Sequence, residues 1–302
     1  MLRKPEPLRI NDHVGIFLPS SPIKEPFRTQ GLQALRDMGF QPREVAVPFS
    51  GHDFFARQPE QSLADLQGFF ADPEIKALWA GRGGYGSNYL MPLLERLEIK
   101  TPKIVIASSD ASYLLWYLLE HRKMAVFYGP MVYGGLAAGR CNRDQILAVL
   151  AGDDSPMRIP GEILCTGRAK GMISGGCLAN FASLLGTPYL PAVKAKILLL
   201  EDVNERPFRL DRLLWQCEQA GIFGQIQALL LGEFPGCFKD ETEKDIFYRR
   251  WQEKLLGWHI PVLFNMPLGH AEIAHILPLG IEGEIDTVVY AGLVSREKGV
   301  RG

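Results

Sequence analysis

Short apolar runs alternate with longer amphipathic segments through the first half of the chain. HVGIFLPS at 13–20 is an apolar run closed by proline and serine, which predicts a strand and a turn. FRTQGLQALRDMGF at 27–40 has apolar residues at helical spacing and a glycine near its end, so it predicts a helix, and the following PREVAVP reads as a strand. SLADLQGFFADP at 62–73 predicts a helix with Ser62 as N-cap and Asp65 in the place of a capping-box acid. IKALWAG at 75–81, KIVIAS at 103–108 and MAVFYGP at 124–130 predict buried strands, and SYLLWYLLEHR at 112–122 predicts a helix. Alternation of this kind implies an α/β protein with a mostly parallel sheet and helices on both faces. Ligands of such sheets sit beyond the carboxyl ends of the strands.

The second half reads differently. DDSPMRIPGEILCTGRAKG, near 152–172, is polar and punctuated by glycine and proline, which predicts a connection between two domains. After it come a helical segment in GGCLANFASLLGTPYL, a strand in KAKILLLEDV at 194–203, a helix at 208–223 and a strand at 225–234. GIEGEIDTVVYAG predicts a β-hairpin. The boundaries expected are 1–155 for an N-terminal α/β domain, 156–172 for a linker and 173–302 for a C-terminal domain.

Composition narrows the function classes. The chain has 302 residues, 33 basic and 34 acidic, for a net charge of -1. That balance gives no electrostatic reason to expect nucleic acid or an anionic membrane as partner. The five cysteines, Cys141, Cys165, Cys177, Cys217 and Cys237, include no C-x-x-C pair, so free buried thiols in a reducing compartment are expected rather than a metal site or disulfides. The first apolar run, VGIFL, is shorter than a signal-peptide core of roughly 7–15 residues, and no stretch approaches the roughly 20 residues of a membrane span. A soluble cytoplasmic protein is expected.

Candidate chemistry begins at IVIASSDASYLLW, where an apolar strand meets an apolar helix through Ser108, Ser109 and Asp110. All three residue types cap helices well, and a cap is the ordinary explanation. The functional alternative is a nucleophile on a sharp strand-to-helix turn, as in G-x-S-x-G, with Ala107 and Ala111 in place of the glycines and Ser109 at the tip. The Asp110 amide would then open the helix and face developing negative charge. Upstream, GRGGYG at 81–86 satisfies G-x-G-x-x-G after a strand. It is open to three readings: a plain tight turn, a dinucleotide fingerprint with Asp110 as ribose ligand, or an oxyanion cradle of backbone amides. Arg82 within it is ordinarily solvated or ion-paired, though its planar fork could hold a substrate carboxylate.

Histidine suits proton transfer near neutral pH. His13, His52, His121 and His259 each have structural explanations, whereas His270 and His275 lie in the loop FNMPLGHAEIAHILPLG, where catalytic residues concentrate. Among the acids, Glu201 ends the apolar strand KILLLE and could orient an imidazole; a salt bridge to a downstream arginine explains it equally well. For Asp202 and Glu205 the salt bridge is the expectation.

Four blocks together resemble the LD-carboxypeptidase family, the muramoyl-tetrapeptide carboxypeptidases and the related microcin-immunity peptidases. They are RGGYGSNYLMPLL at 82–94, SSDAS at 108–112, LLLEDVNERPFRLDRLLWQ at 198–216 and PLGHAEIAHILPLG at 267–280. LPSSP at 18–22, YGPM at 128–131 and LLGTPYL at 184–190 support them. The resemblance implies an N-terminal α/β domain, a smaller C-terminal α/β domain and an active site between them. It implies Ser109 as nucleophile, Glu201 and His270 as the rest of a triad, and the amides of Gly84 (within 83–86) and Asp110 as oxyanion donors. The chain departs from the family pattern at Ala107-Ser108 for Gly-Tyr, at Tyr128 for a histidine and at Ala274 for an asparagine. The activity implied is release of terminal D-alanine from murein tetrapeptides through an acyl-enzyme, in cell-wall recycling. No metal or organic cofactor and no nucleic-acid or membrane partner is implied, and a homodimer is open to it. The alternatives are an immunity-type amidase acting on a peptidyl-nucleotide or another acylated amide, and, from a different class, a nucleotide-binding protein using GRGGYG.

Overall fold

The structure, a computed structural model, describes residues 1–45 and 55–302. His52 and the end of the PREVAVP run lie outside the described residues. The chain divides into two compact units: the first comprises Met1–Asp153, Ala274–Pro278 and Lys298–Gly302, and the second Asp154–Ile273 and Leu279–Glu297.

The first unit is built on β1 (His13–Phe17), β2 (Gln41–Glu44), β3 (Ile75–Ala80), β4 (Ile104–Ala107) and β5 (Val126–Tyr128), in the spatial order β5-β4-β3-β1-β2. Every pairing among these five is parallel. That order reverses direction between β1 and β3, and crevices at such reversals are the usual ligand sites of open α/β sheets. Its helices are α1 (Phe27–Asp37), α2 (Pro59–Ala71), α3 (Ser112–Arg122) and α4 (Arg143–Ala151). β3 and β4 are buried almost throughout, consistent with their unbroken apolar sequences. Trp79 and Phe127 sit at the centre of the unit's core with Ile16, Ile104 and Ile106.

The helix expected to start at Ser62 starts a turn earlier. Pro59 fits the first helical turn, where its missing N–H is no loss, and Gln61 Oε1 accepts from the Gln58 amide at 3.2 Å. Ser62 donates instead to the Leu18 carbonyl at 3.3 Å, and Asp65 pairs with Arg57.

The second unit contains β6 (Met157–Pro160), β7 (Glu162–Cys165), β8 (Arg168–Cys177), α5 (Leu178–Ser183), β9 (Lys196–Glu201), α6 (Pro207–Gln219), β10 (Ala228–Gly232), α7 (Glu241–Leu256) and β11 (Val262–Met266). β12 (Leu277–Leu279) then joins the first unit's sheet beside β5, and β13 (Glu282–Asp286) and β14 (Tyr290–Ser295) return to the second sheet as an antiparallel hairpin. The second sheet runs β6-β14-β13-β8-β9-β10-β11-β7, with β8 to β11 parallel and the flanking strands antiparallel.

Residues 156–172, expected as a linker, form β6, β7 and the start of β8. The polar, proline-punctuated composition of β6 and β7 suits the two edges of the sheet, where they lie: β6 has Pro160 at its end, and most of its residues are exposed or half-buried. α7 was not anticipated. Asp240 caps it by accepting from the Glu243 amide at 2.8 Å, and Phe247, Tyr248, Trp251 and Leu255 form its buried face.

Candidate functional site

In the first unit, three loops gather beyond the carboxyl ends of β1, β3 and β4. Ser109 stands on the third. Within 104–119 it is the one residue not buried, and its φ is +54°. A non-glycine residue in the left-handed region is uncommon and costs backbone energy, so surrounding contacts must hold it. The Ser109 amide donates to the Tyr128 hydroxyl at 3.2 Å, and the Ser112 hydroxyl donates to the Ser109 carbonyl at 2.6 Å. Ala107 and Ala111, two places either side, are fully buried, so larger side chains would meet packed surroundings. α3 begins only at Ser112, with Ala111 as its N-cap and no capping side chain. The cap explanation for Ser108, Ser109 and Asp110 therefore does not describe this turn.

The Asp110 carboxylate is buried and occupied elsewhere. Its Oδ2 accepts from the Ser20 hydroxyl at 2.6 Å and from the Ser87 amide at 2.9 Å, and Ser87 also donates to the Asp110 carbonyl. One charged acceptor thus ties the loop after β1 and the glycine turn after β3 to the serine turn after β4. It also removes Asp110 as a ribose ligand. The fingerprint reading loses its helix as well, because GRGGYG runs into a 3-10 helix, Ser87–Arg96, that contains Pro92.

The glycine turn is shaped by close approach. A Cβ on Gly83 would sit 2.9 Å from Ser109 Cβ and 3.0 Å from its Oγ, and one on Gly84 would strike the Ser21 side chain. Gly84 has φ +118°, which an L side chain rarely adopts. The Tyr85 and Ser87 amides are taken, by Ser21 Oγ at 3.1 Å and by Asp110. Among the described residues no acceptor meets the amides of Gly84 or Asp110.

The second unit brings Glu201 and His270 together. Glu201 is the last residue of β9, with a side chain 1% exposed. Two glycines make room for it: a Cβ on Gly232, at the end of β10, would strike its Cβ, and one on Gly269 would strike its carboxyl. Gly269 has φ +68°, which turns the chain so that His270 comes back onto the acid. Glu201 Oε2 accepts from the His270 amide at 3.1 Å and lies 2.7 Å from Nδ1. A carboxylate there holds the proton on Nδ1 and leaves Nε2 with a lone pair, the form of a general base. The His270 side chain keeps 21% exposure.

Neighbouring candidates have other duties. Asp202 accepts from the Ala179 amide at 2.9 Å, at the start of α5, and from the Val203 amide at 2.9 Å, in place of the expected salt bridge. Its burial, with the charge of Glu201 second, pushes its carboxyl up to about 6. Glu205 does pair with Arg209, at 3.1 Å. His275 belongs to the first unit, with Nε2 2.9 Å from Asn142 Nδ2. His13 lies 3.4 Å from an Arg43 nitrogen, and the His121 ring stacks on Tyr117. Burial pushes the thiols of Cys177, Cys217 and Cys237 upward, away from reactivity.

Residue-level reasoning missed Tyr128, Ser20 and Ser87 as supports of the turn. Their signals were faint: a departure from the family pattern at Tyr128, the supporting LPSSP match for Ser20, and a serine following the glycine turn for Ser87.

Comparison with known proteins decides the family. The LD-carboxypeptidase N-terminal domain matches residues 14–129, and the LD-carboxypeptidase C-terminal domain matches residues 170–285. The murein tetrapeptide carboxypeptidase of Pseudomonas aeruginosa is 31% identical over 284 residues, covering 90% of this chain and 92% of that one. The chain belongs to the LD-carboxypeptidase family. The LD-carboxypeptidase fold is shared with the muramoyltetrapeptide carboxypeptidase of Oxalobacter formigenes, at a TM-score of 0.78 and 24% identity over 93% of this chain and 97% of that one. It is shared too with the microcin C7 self immunity protein MccF, at a TM-score of 0.88 and 21% identity over 99% of both chains. No helix among the described residues is long and apolar enough to cross a membrane.

Proposed function

We propose that this LD-carboxypeptidase family member is a serine hydrolase that releases the terminal D-alanine of murein tetrapeptides, in the cytoplasm, during cell-wall recycling. The observation that carries the reading is the imidazole of His270 held through Nδ1 by the buried Glu201, in a chain that also sets Ser109 on a left-handed strand-to-helix turn. The substrate follows from the relative named for murein tetrapeptide.

In the proposed reaction Ser109, Glu201 and His270 act as one triad. His270 Nε2 takes the Ser109 proton as Oγ attacks the carbonyl carbon of the L,D-peptide bond. The carbonyl electrons move onto oxygen, and the Gly84 and Asp110 amides donate to that oxyanion. The intermediate collapses, the C–N bond breaks, and His270 returns its proton to the departing amine of D-alanine. Water, deprotonated by His270, then attacks the ester and frees tripeptide and Ser109. Glu201 keeps its charge throughout and stabilises the imidazolium.

A second reading has its own support. MccF, whose fold this chain shares, has been captured with aspartyl sulfamoyl adenosine. The same triad could cleave an acylated nucleotide amide. Both readings are tested by incubating the protein separately with murein tetrapeptide and with an aminoacyl-nucleotide amide and identifying products by mass spectrometry. Tripeptide plus D-alanine is expected from the first; cleavage of the second substrate alone would replace the murein reading by the other.

A further inference from the structure

We propose that Arg82 is the binding residue for the substrate's terminal carboxylate, so that it makes the enzyme an exopeptidase. This rests on the murein-peptide reading and adds to it the group that selects a free chain end.

Arg82 directly follows Gly81 at the end of β3, in the loop at the β1/β3 reversal of the sheet. Ligands of open α/β sheets enter at such a reversal. The residue is half-buried, and among the described residues its Nη1 donates to the Pro22 carbonyl in the loop after β1, at 2.8 Å. The side chain thus spans from the loop of one strand to that of the other.

Among the described residues Arg82 has no carboxylate partner; its guanidinium meets the Pro22 carbonyl instead. The Asp110 carboxylate is turned onto Ser20 and Ser87. A guanidinium has five N–H donors in a fixed fork, and the Pro22 contact uses one. Donors left over on a guanidinium that meets no carboxylate among the described residues suit a ligand carboxylate, which takes two parallel N–H bonds from such a fork.

Gly83 lies against Ser109, and Arg82 is its immediate neighbour in the chain. In a peptide attacked by Ser109, the terminal carboxylate is one residue beyond the scissile carbonyl. An endopeptidase substrate or a C-terminal amide has no negative charge at that place.

The test compares two peptides, the murein tetrapeptide and the same peptide with its C-terminal carboxylate converted to the amide. The wild type is expected to prefer the free acid. In Arg82→Ala, KM for the acid should rise at least about tenfold and the acid-over-amide preference in kcat/KM should shrink by the same factor, because a binding contact rather than the chemical step is lost. Arg82→Lys, which keeps the charge without the fork, should fall between the two. Thermal unfolding confirms that the variants are folded, and titration of both peptides into Ser109→Ala with and without Arg82→Ala reads the same preference as affinity, without turnover. A folded Arg82→Ala that keeps the wild-type preference, or loses acid and amide equally, overturns the assignment alone. A wild type that neither cleaves nor binds the tetrapeptide overturns the functional reading and the assignment with it.

Discussion

Oε2 of Glu201 meets His270 twice, at the backbone amide at 3.1 Å and at Nδ1 at 2.7 Å. The double contact fixes both where the ring lies and which nitrogen carries the proton. Glu201→Gln keeps the shape but can turn its NH2 toward Nδ1 and stabilise the other tautomer. A fall in kcat of about three to four orders of magnitude is expected, on the scale of the corresponding change in a serine protease triad. Steady-state kinetics with unchanged far-UV circular dichroism check it; a loss under tenfold would remove Glu201 from the mechanism.

The same pair depends on Gly269. Its φ is +68°, and any Cβ there would strike the Glu201 carboxyl. Gly269→Ala should therefore lower kcat by about a hundredfold or more, through displacement of the acid, at a stability cost nearer the 1–2 kcal/mol of a strained left-handed residue. Activity and urea midpoint measured on one preparation separate the two effects. A variant that loses stability and keeps its rate would contradict the expectation.

Within the first unit, Tyr128 holds Ser109 in place. Its hydroxyl is the acceptor for the Ser109 amide, in a place where the residue is fully buried. Tyr128→Phe leaves that N–H without this partner, a loss of about 0.5–1.5 kcal/mol for an ordinary intramolecular hydrogen bond. If the cost falls on the serine's position, kcat drops about two- to tenfold while KM stays within about twofold. Kinetics on the folded variant decide; an unchanged kcat would make Tyr128 a packing residue only.

Asp202 predicts a pH dependence of stability. Its carboxyl is pushed up to about 6 in the folded protein, chiefly by burial, whereas in an unfolded chain an aspartate titrates near 3.9. Between about pH 4 and 6 the folded state holds a proton that the unfolded state has lost. This contribution is therefore full below about pH 4, declines as pH rises through the window, and is gone above about 6, a change of up to about 3 kcal/mol. Asp202→Asn removes it. From pH 4 to 7 the urea midpoint of the wild type should fall relative to that of the variant; parallel curves would show that Asp202 does not titrate there.

Much of this was legible in the chain. Unbroken apolar runs located β3, β4 and α3 to within a residue or so, because each is bounded by glycine, proline or charge. Glu201 and His270 were visible as a strand-end acid and a loop imidazole, but nothing in their spacing says that Oε2 reaches Nδ1; residue 269 must turn the chain first. At the serine turn, Asp110 looked like a helix cap because caps depend on local sequence, whereas its partners Ser20 and Ser87 are 90 and 23 residues away. Residues 156–172 looked like a linker because the edge strands β6 and β7 need little apolar sequence, and the pairing of β6, β7 and the start of β8 comes from β14, β11 and β13, far along the chain.

The most direct test of the account is to trap the acyl-enzyme. Wild-type protein is mixed with murein tetrapeptide, quenched in acid within the first turnovers and digested, and the peptide carrying Ser109 is examined by mass spectrometry. The account predicts a tripeptidyl ester on Ser109, free D-alanine in equal amount in the first turnover, and neither from Ser109→Ala. Hydrolysis of the tetrapeptide by a folded Ser109→Ala at the wild-type rate would contradict it.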